Sequence, residues 1–320
     1  MAVTIKDLAR ETGLAYGTIS AYLNDNKVRE ENRIKIENAI KKLGYIPNEY
    51  ARALKSHTSR TIGVVIPELA SFFATSIISF MEDELRKKGY GIIVCDCRSN
   101  EDIEIRSVKY LMSKMVDGLI IMPTTSDNKI FDLPKRFNVP VVVIDRYLQG
   151  DGVSSVTINN REISKIAVSN MLKNGCKNIA VIHGGEVYTS RQRLLGYYDA
   201  VGSKNDDLAV DGKFTMQGGY VAMKKLLDRN DCIDGVFVTN YDMTMGALLA
   251  LKESGKVVDN DFAFTGFDLG DLTKVIGQKV QIVDQPLKEI GVNSAKILLS
   301  KINKKETNDI VLSATITNNY

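Results

Sequence analysis

The chain has 320 residues, 25% of them charged and 44% hydrophobic, the mix of a globular protein with room for two or three domains. Its net charge of +3 is uneven: residues 1–60 hold 11 Lys and Arg against 7 Asp and Glu, while the other 260 hold 31 against 32. A phosphate-bearing partner is therefore expected at the N-terminal end. No apolar run precedes Thr4 and no 18-residue apolar stretch occurs, which argues against a signal peptide or a transmembrane helix and predicts a cytoplasmic protein.

The stretch from Thr4 to Asn24 predicts two short helices around a turn at Gly13. Thr4 and Asp7 stand three apart in a capping pattern, and Leu8 and Ala9 give the first helix an apolar side. Ile19 and Leu23, four apart, form the inward face of the second helix, and Tyr16, Gly17, Ser20 and Asn24 fall on its outward side. This is the pattern of a helix-turn-helix whose second helix enters the DNA major groove; a plain helical hairpin is the alternative. A third helix from Glu30 to Leu43, with Ile36, Ala39, Ile40 and Leu43 on one face, completes a unit able to bury a small core.

From Ile62 the pattern changes to short apolar strands alternating with amphipathic helices. The expected strands are 62–66, 91–95, 118–122, 141–144, 179–182, 235–238, 262–265 and 281–283, with a last one near 310–316. Such alternation predicts parallel sheets covered on both faces, with ligands beyond the carboxyl ends of the strands. No G-x-G-x-x-G follows a strand, no Walker motif occurs and no nucleophile stands beside a base, so an enzyme is not expected. Cys95, Cys97, Cys176 and Cys232, with His57 and His183, lack zinc-site spacing and read as core residues. No metal or other cofactor is expected.

The segments T-I-K-D-L-A (4–9), G-T-I-S (17–20), A-I-K-K-L-G-Y-I-P-N (39–48), A-R-A-L-K (51–55), I-G-V-V-I-P (62–67), V-D-G-L-I-I (116–121), V-V-V-I-D-R (141–146) and G-F-D (266–268) resemble, in order, the LacI/GalR family of bacterial transcription regulators. The resemblance implies an all-α three-helix headpiece at 1–46 and a hinge helix and linker at 47–60. It implies an α/β two-subdomain core at 61–320, similar to periplasmic sugar-binding proteins and serving effector binding and dimerisation. The N-subdomain is expected at about 61–158 and 287–305, the C-subdomain at about 159–286 and 306–320, with crossings near 157–160 and 284–286.

Polar residues suited to holding sugar hydroxyls follow the strands: Asp145 and Arg146, Asn240, Asp268 and Gln285. Arg193 precedes Gly196 and Tyr197 in an R-x-x-G-[FYW] pattern, and Phe72 and Phe73 follow the first strand as an apolar wall. By resemblance the effector contacts fall on Phe72, Phe73, Arg146, Arg193, Asn240, Asp268 and Gln285. For DNA, Tyr16, Ser20 and Asn24 are expected on bases and Thr4, Thr18, Lys27 and Asn48 on phosphates, with Gly17 too small for readout. The resemblance makes Ala51, Leu54 and Lys55 part of a hinge helix that puts Leu54 into the minor groove.

Two departures bear on the ligand: Ala70-Ser71 stand where the family has Asn-Pro, and Asn240-Tyr241 replace its Asn-Asp. The expectation is a homodimeric repressor on a pseudo-palindromic double-stranded DNA operator, controlled by a small sugar-like effector. The alternatives are a sugar-binding protein of the transport type, or a regulator of the same family whose corepressor is a purine or a sugar phosphate.

Overall fold

The computed structural model describes residues 3–23, 26–46, 58–124, 127–148, 150–202, 204, 206–229, 233–258, 262–270 and 279–318. The chain forms two compact units, Met1–Ser59 and Arg60–Tyr320.

The first unit is all-α among its described residues. Helix α1 spans Ile5–Thr12, α2 Tyr16–Leu23 and α3 Glu30–Leu43. At the start of α1 both the N–H and the hydroxyl of Thr4 donate to Asp7 Oδ2, at 2.9 and 2.7 Å. Gly13 ends α1 with φ 66°, a left-handed conformation that lets the chain turn sharply into α2. Leu8, Ile19, Ile36, Ala39 and Tyr45 close a small core, and the Tyr22 hydroxyl donates to Glu37 Oε1 at 3.1 Å, tying α2 to α3.

The second unit holds two six-stranded sheets. The first is ordered β11-β5-β4-β3-β1-β2: Ile310–Leu312, Ser154–Ile158, Val141–Ile144, Gly118–Ile121, Thr61–Ile66 and Gly91–Asp96. All its pairings are parallel. The second is ordered β12-β10-β9-β8-β6-β7: Thr315–Asn318, Gln281–Asp284, Ala263–Phe267, Gly235–Val238, Ile179–His183 and Ala209–Asp211. Only β12 runs antiparallel there. The fold is the expected one: a helical headpiece followed by a parallel α/β core of the periplasmic-binding type.

The chain leaves the first sheet after Ile158 and returns after Asp284, where the helix Leu287–Ile302 packs on β3, β4 and β5 of the first sheet. It then crosses a third time. The expectation of one strand near 310–316, with 306–320 wholly in the C-subdomain, is corrected: β11 belongs to the first sheet, and the switch falls between Leu312 and Thr315. Asn159 sits in the first crossing and fastens the third, its N–H donating to Leu312 O at 3.0 Å and its Oδ1 accepting from Ala314 N at 2.9 Å. Two edge strands of three and four residues are too short for alternation to reveal which sheet each joins.

Strand β5 was not expected as a strand because Ser154, Ser155 and Thr157 break its apolar run, yet all five of its residues are buried. Their polarity is met from the chain's far end. Ser154 Oγ lies 2.9 Å from Thr307 Oγ1, and Ser155 N donates to Asp309 Oδ1 at 2.7 Å.

Candidate functional site

A cleft of about 670 Å³, partly open to solvent, lies at the carboxyl ends of both sheets. Glu68 follows β1, Asp145 and Arg146 follow β4, Asn240 follows β8, Asp268 follows β9 and Gln285 follows β10. This is where open α/β sheets place ligands, because strand ends leave polar groups and helix starts around a crevice. Of the eight residues expected to contact the effector, Phe73, Asp145, Arg146, Arg193, Asn240, Asp268 and Gln285 line the cleft. Phe72 does not. It and Phe73 open the helix Phe72–Arg86, where neighbours point about 100° apart. Phe73 faces inward, while Phe72 is 52% exposed, its ring 5.6 Å from that of Tyr241.

The R-x-x-G-Y pattern has a packing explanation. The helices Asn160–Lys173 and Tyr188–Val201 lie against each other, and a Cβ on Gly196 would sit 2.3 Å from Arg161 O. That approach brings Arg193 to its partners: Nε donates to Asn160 Oδ1 at 2.7 Å and Nη1 to Thr239 O at 2.6 Å. Its guanidinium lies 4.0 Å from the centroid of the Phe267 ring. Tyr197, on the same helix, anchors it by donating to Ile179 O at 2.6 Å.

Buried charge dominates the cleft floor. Arg193 is 3% exposed; burial pushes its pKa down, and the charges of Asp145 and Asp268 pull it back up. Burial raises the Asp145 carboxyl, opposed by Arg146 and Arg193. Asp268 is pushed up to about 6 by burial, against the pull of Arg193 and the hydrogen bonds from Gln285. Both acids adopt left-handed backbone, with φ 64° at Asp145 and 59° at Asp268. Asp tolerates that region better than most residues, and such conformations cluster at functional sites. Asp268 accepts from Gln285 N at 3.1 Å and Gln285 Nε2 at 2.6 Å. Asn240 caps the helix Tyr241–Glu253, its Oδ1 accepting from Met243 N at 2.9 Å.

Two buried polar atoms of cleft-lining residues have no hydrogen bond within the protein. Arg146 donates through Nη1 to Pro123 O at 2.7 Å, but its buried Nε has no hydrogen bond, only Asp145 Oδ2 at 3.8 Å; Gln285 Oε1 has none either. Buried polar groups left so are costly unless a ligand or solvent meets them.

Several lining residues were not expected. Ser71 caps the helix Phe72–Arg86, its Oγ accepting from Ala74 N at 3.4 Å, and Tyr241 and Asp242 open the helix Tyr241–Glu253. Ser71 and Tyr241 stand at the positions already marked as departures from the family pattern. Thr189 and Phe214 also line the cleft. Phe214 comes from a turn, at φ 57°, where no periodic signal exists.

On the helical unit, Tyr16 and Gly17 are exposed at the start of α2, Thr18 and Ser20 are half-buried, and Lys27 is exposed. Thr4 is exposed, but its hydroxyl is already engaged by Asp7. Asn24, Asn48, Ala51, Leu54 and Lys55 lie outside the described residues, as does Cys232. Among the described residues no cluster of potential metal ligands occurs, and no helix is long and apolar enough to cross a membrane.

Residues 59–319 match a family model described as periplasmic binding proteins and sugar binding domain of LacI family, and residues 4–48 match bacterial regulatory proteins, lacI family. The HTH-type transcriptional regulator RegA of Clostridium saccharobutylicum is 31% identical, with 97% of this chain and 95% of the relative covered. A LacI family transcriptional regulator from Enterococcus faecium with bound ribose is 27% identical, with a TM-score of 0.73 over 80% of this chain and 96% of that one. The lac repressor dimer bound to operator and the anti-inducer ONPF is 24% identical, and its TM-score of 0.87 over 99% of this chain and 98% of that one shows a shared fold.

Proposed function

The chain belongs to the LacI family of bacterial regulatory proteins and is a DNA-binding transcription regulator; on that premise we propose that it is a sugar-responsive repressor. It acts in the bacterial cytoplasm as a homodimer on a pseudo-palindromic operator. Tyr16, Ser20 and Asn24 touch bases beside the side-chain-free Gly17, and Thr4, Thr18, Lys27 and Asn48 touch the backbone. The 47–60 segment is the hinge, with Ala51 at the close approach of two copies, Leu54 wedged into the minor groove and Lys55 beside it.

The effector is a monosaccharide or close derivative. Asp145 and Arg146 hold it from the first subdomain, and Arg193, Asn240, Asp268 and Gln285 from the second, with Phe73 as the apolar wall. The observation that carries this reading is that two residues lining one cleft fed by both sheets, Arg146 and Gln285, each keep a buried polar atom, Nε and Oε1, without a hydrogen bond. A polyhydroxylated ligand both donates and accepts, so one molecule can satisfy both atoms and bias the relation of the two subdomains. The bound ribose of the Enterococcus faecium relative supports the ligand class.

The test is operator binding by fluorescence anisotropy, on a site selected from random DNA, with and without a panel of pentoses and hexoses. We expect log K to fall by roughly 0.9 per phosphate contact per decade of salt. We expect one sugar to shift operator affinity by about 5–150-fold, the usual range of allosteric coupling. Salt-independent binding would defeat the DNA assignment, and indifference to every sugar would defeat the effector assignment.

A further inference from the structure

The cleft also states which charge its ligand carries. Among the described residues its lining holds four carboxylates, Glu68, Asp145, Asp242 and Asp268, against two guanidiniums, Arg146 and Arg193. Both guanidiniums already hold protein partners. Arg193 is buried, donates to Asn160 and Thr239, and feels the charges of Asp145 and Asp268. Arg146 donates to Pro123 O, has Asp145 3.8 Å away and feels the charge of buried Glu104. Among the described residues the lining thus has two more acidic than basic side chains and no lysine.

Helix starts are the other usual receptors for a phosphate. Three helices begin at this cleft among the described residues. Ser71 caps the helix Phe72–Arg86 and Asn240 the helix Tyr241–Glu253, while the helix Tyr188–Val201, whose Thr189 lines the cleft, has no side-chain cap. Glu68 stands three residues before Ser71, and Asp242 occupies the first turn after Asn240, so the dipoles of the two capped helices each meet a carboxylate of their own chain. Glu68 belongs to the first subdomain and Asp242 to the second, and Asp242 is raised first by burial and then by the charge of Glu68. The opposed acids therefore share one field. Gln285, 9% exposed, also lines the cleft, and its buried Oε1 has no hydrogen bond, which a hydroxyl donor would supply.

We propose that Glu68 and Asp242 form a charge filter that admits a free, uncharged sugar to this cleft and rejects its phosphate ester. The inference rests on reading the cleft as the effector site. It places the effector ahead of the phosphorylation step that normally commits a sugar to catabolism, so the regulator responds to unmodified sugar.

The test is calorimetry on the full-length protein with D-ribose, D-glucose and D-galactose, each beside its monophosphate. We expect one free sugar to bind and its ester to bind at least about 100-fold more weakly, since like-charge juxtaposition is strongly unfavourable. In Glu68→Gln, and more so in Glu68→Gln/Asp242→Asn, that ratio should shrink, by at least about tenfold in the double variant. Glu68 is exposed, so the single variant should keep its fold, with circular dichroism as the check. An ester that binds wild type as well as the free sugar overturns the filter while leaving the sugar reading intact, and so does a ratio unchanged in the folded variants. If neither form of any sugar binds, the sugar reading itself fails and the filter falls with it.

Discussion

The helical headpiece and the cleft handle polarity in opposite ways. In the headpiece the core is a handful of apolar side chains, Leu8, Ile19, Ile36, Ala39 and Tyr45, while the groups offered to DNA stand outside it. Stability and recognition are carried by different residues. In the cleft the same residues do both. Arg193 joins two helices through Asn160, carries a buried charge between Asp145 and Asp268, and faces the ligand. Mutations in the headpiece's recognition face should therefore separate binding from stability, and mutations in the cleft should not.

The largest effect is expected at Arg193. Arg193→Met leaves buried Asp268 without its cation and Asp145 with Arg146 alone, and breaking such an arrangement typically costs about 3–5 kcal/mol. Urea unfolding measures it. The comparison is Arg161→Met, which removes a two-pronged but largely exposed pair with Asp199; surface pairs contribute about 0–1 kcal/mol. Equal losses in the two variants would break the contrast.

A smaller effect is expected from pH. The Asp268 carboxyl rises from its ordinary 3.8 to about 6 in the fold, so between those values the folded chain holds a proton that the unfolded chain has lost. Stability contributed by this group is full below pH 4 and declines as pH rises to about 6, by something on the order of 2 kcal/mol. Asp268→Asn should flatten that decline without abolishing it, because Asp145 is raised in the same direction. Thermal melts across pH 4–7 test this.

The smallest stability change is expected at Tyr16, exposed at the start of α2. Tyr16→Ala should move stability by less than about 0.5 kcal/mol, as surface substitutions do, while operator affinity falls. A variant that loses both together would place Tyr16 in the core's economy and blur the distinction.

The same contrast explains what the sequence revealed. The headpiece follows local rules, with apolar spacing at Ile19 and Leu23, a left-handed glycine at 13 and a capping Thr–Asp pair, so its three helices were legible. The polar cleft residues at strand ends were also legible, because parallel sheets put ligands there. Illegible features depend on distant parts of the chain. Strand β5 is polar yet buried because Thr307 and Asp309 meet it from the other end. The third crossing depends on Asn159, more than 150 residues away. Thr189, Phe214, Glu68 and Asp242 enter the cleft from helix starts and turns, where no periodicity marks them. Of the expected pair Phe72 and Phe73, one step of helical rotation leaves only Phe73 on the cleft.

On the proposed function, a sugar completes the hydrogen bonds that the fold leaves open at the cleft. The most direct measurement is calorimetric titration of the sugar that binds wild type into Gln285→Ala, with operator affinity measured alongside in the absence of sugar. Losing a buried acceptor from a ligand hydrogen bond, together with the Nε2 that steadies Asp268, should weaken the sugar at least tenfold, a change of about 1.4 kcal/mol. Sugar-free operator binding should remain. A folded Gln285→Ala protein that binds the sugar as tightly as wild type would contradict the claim.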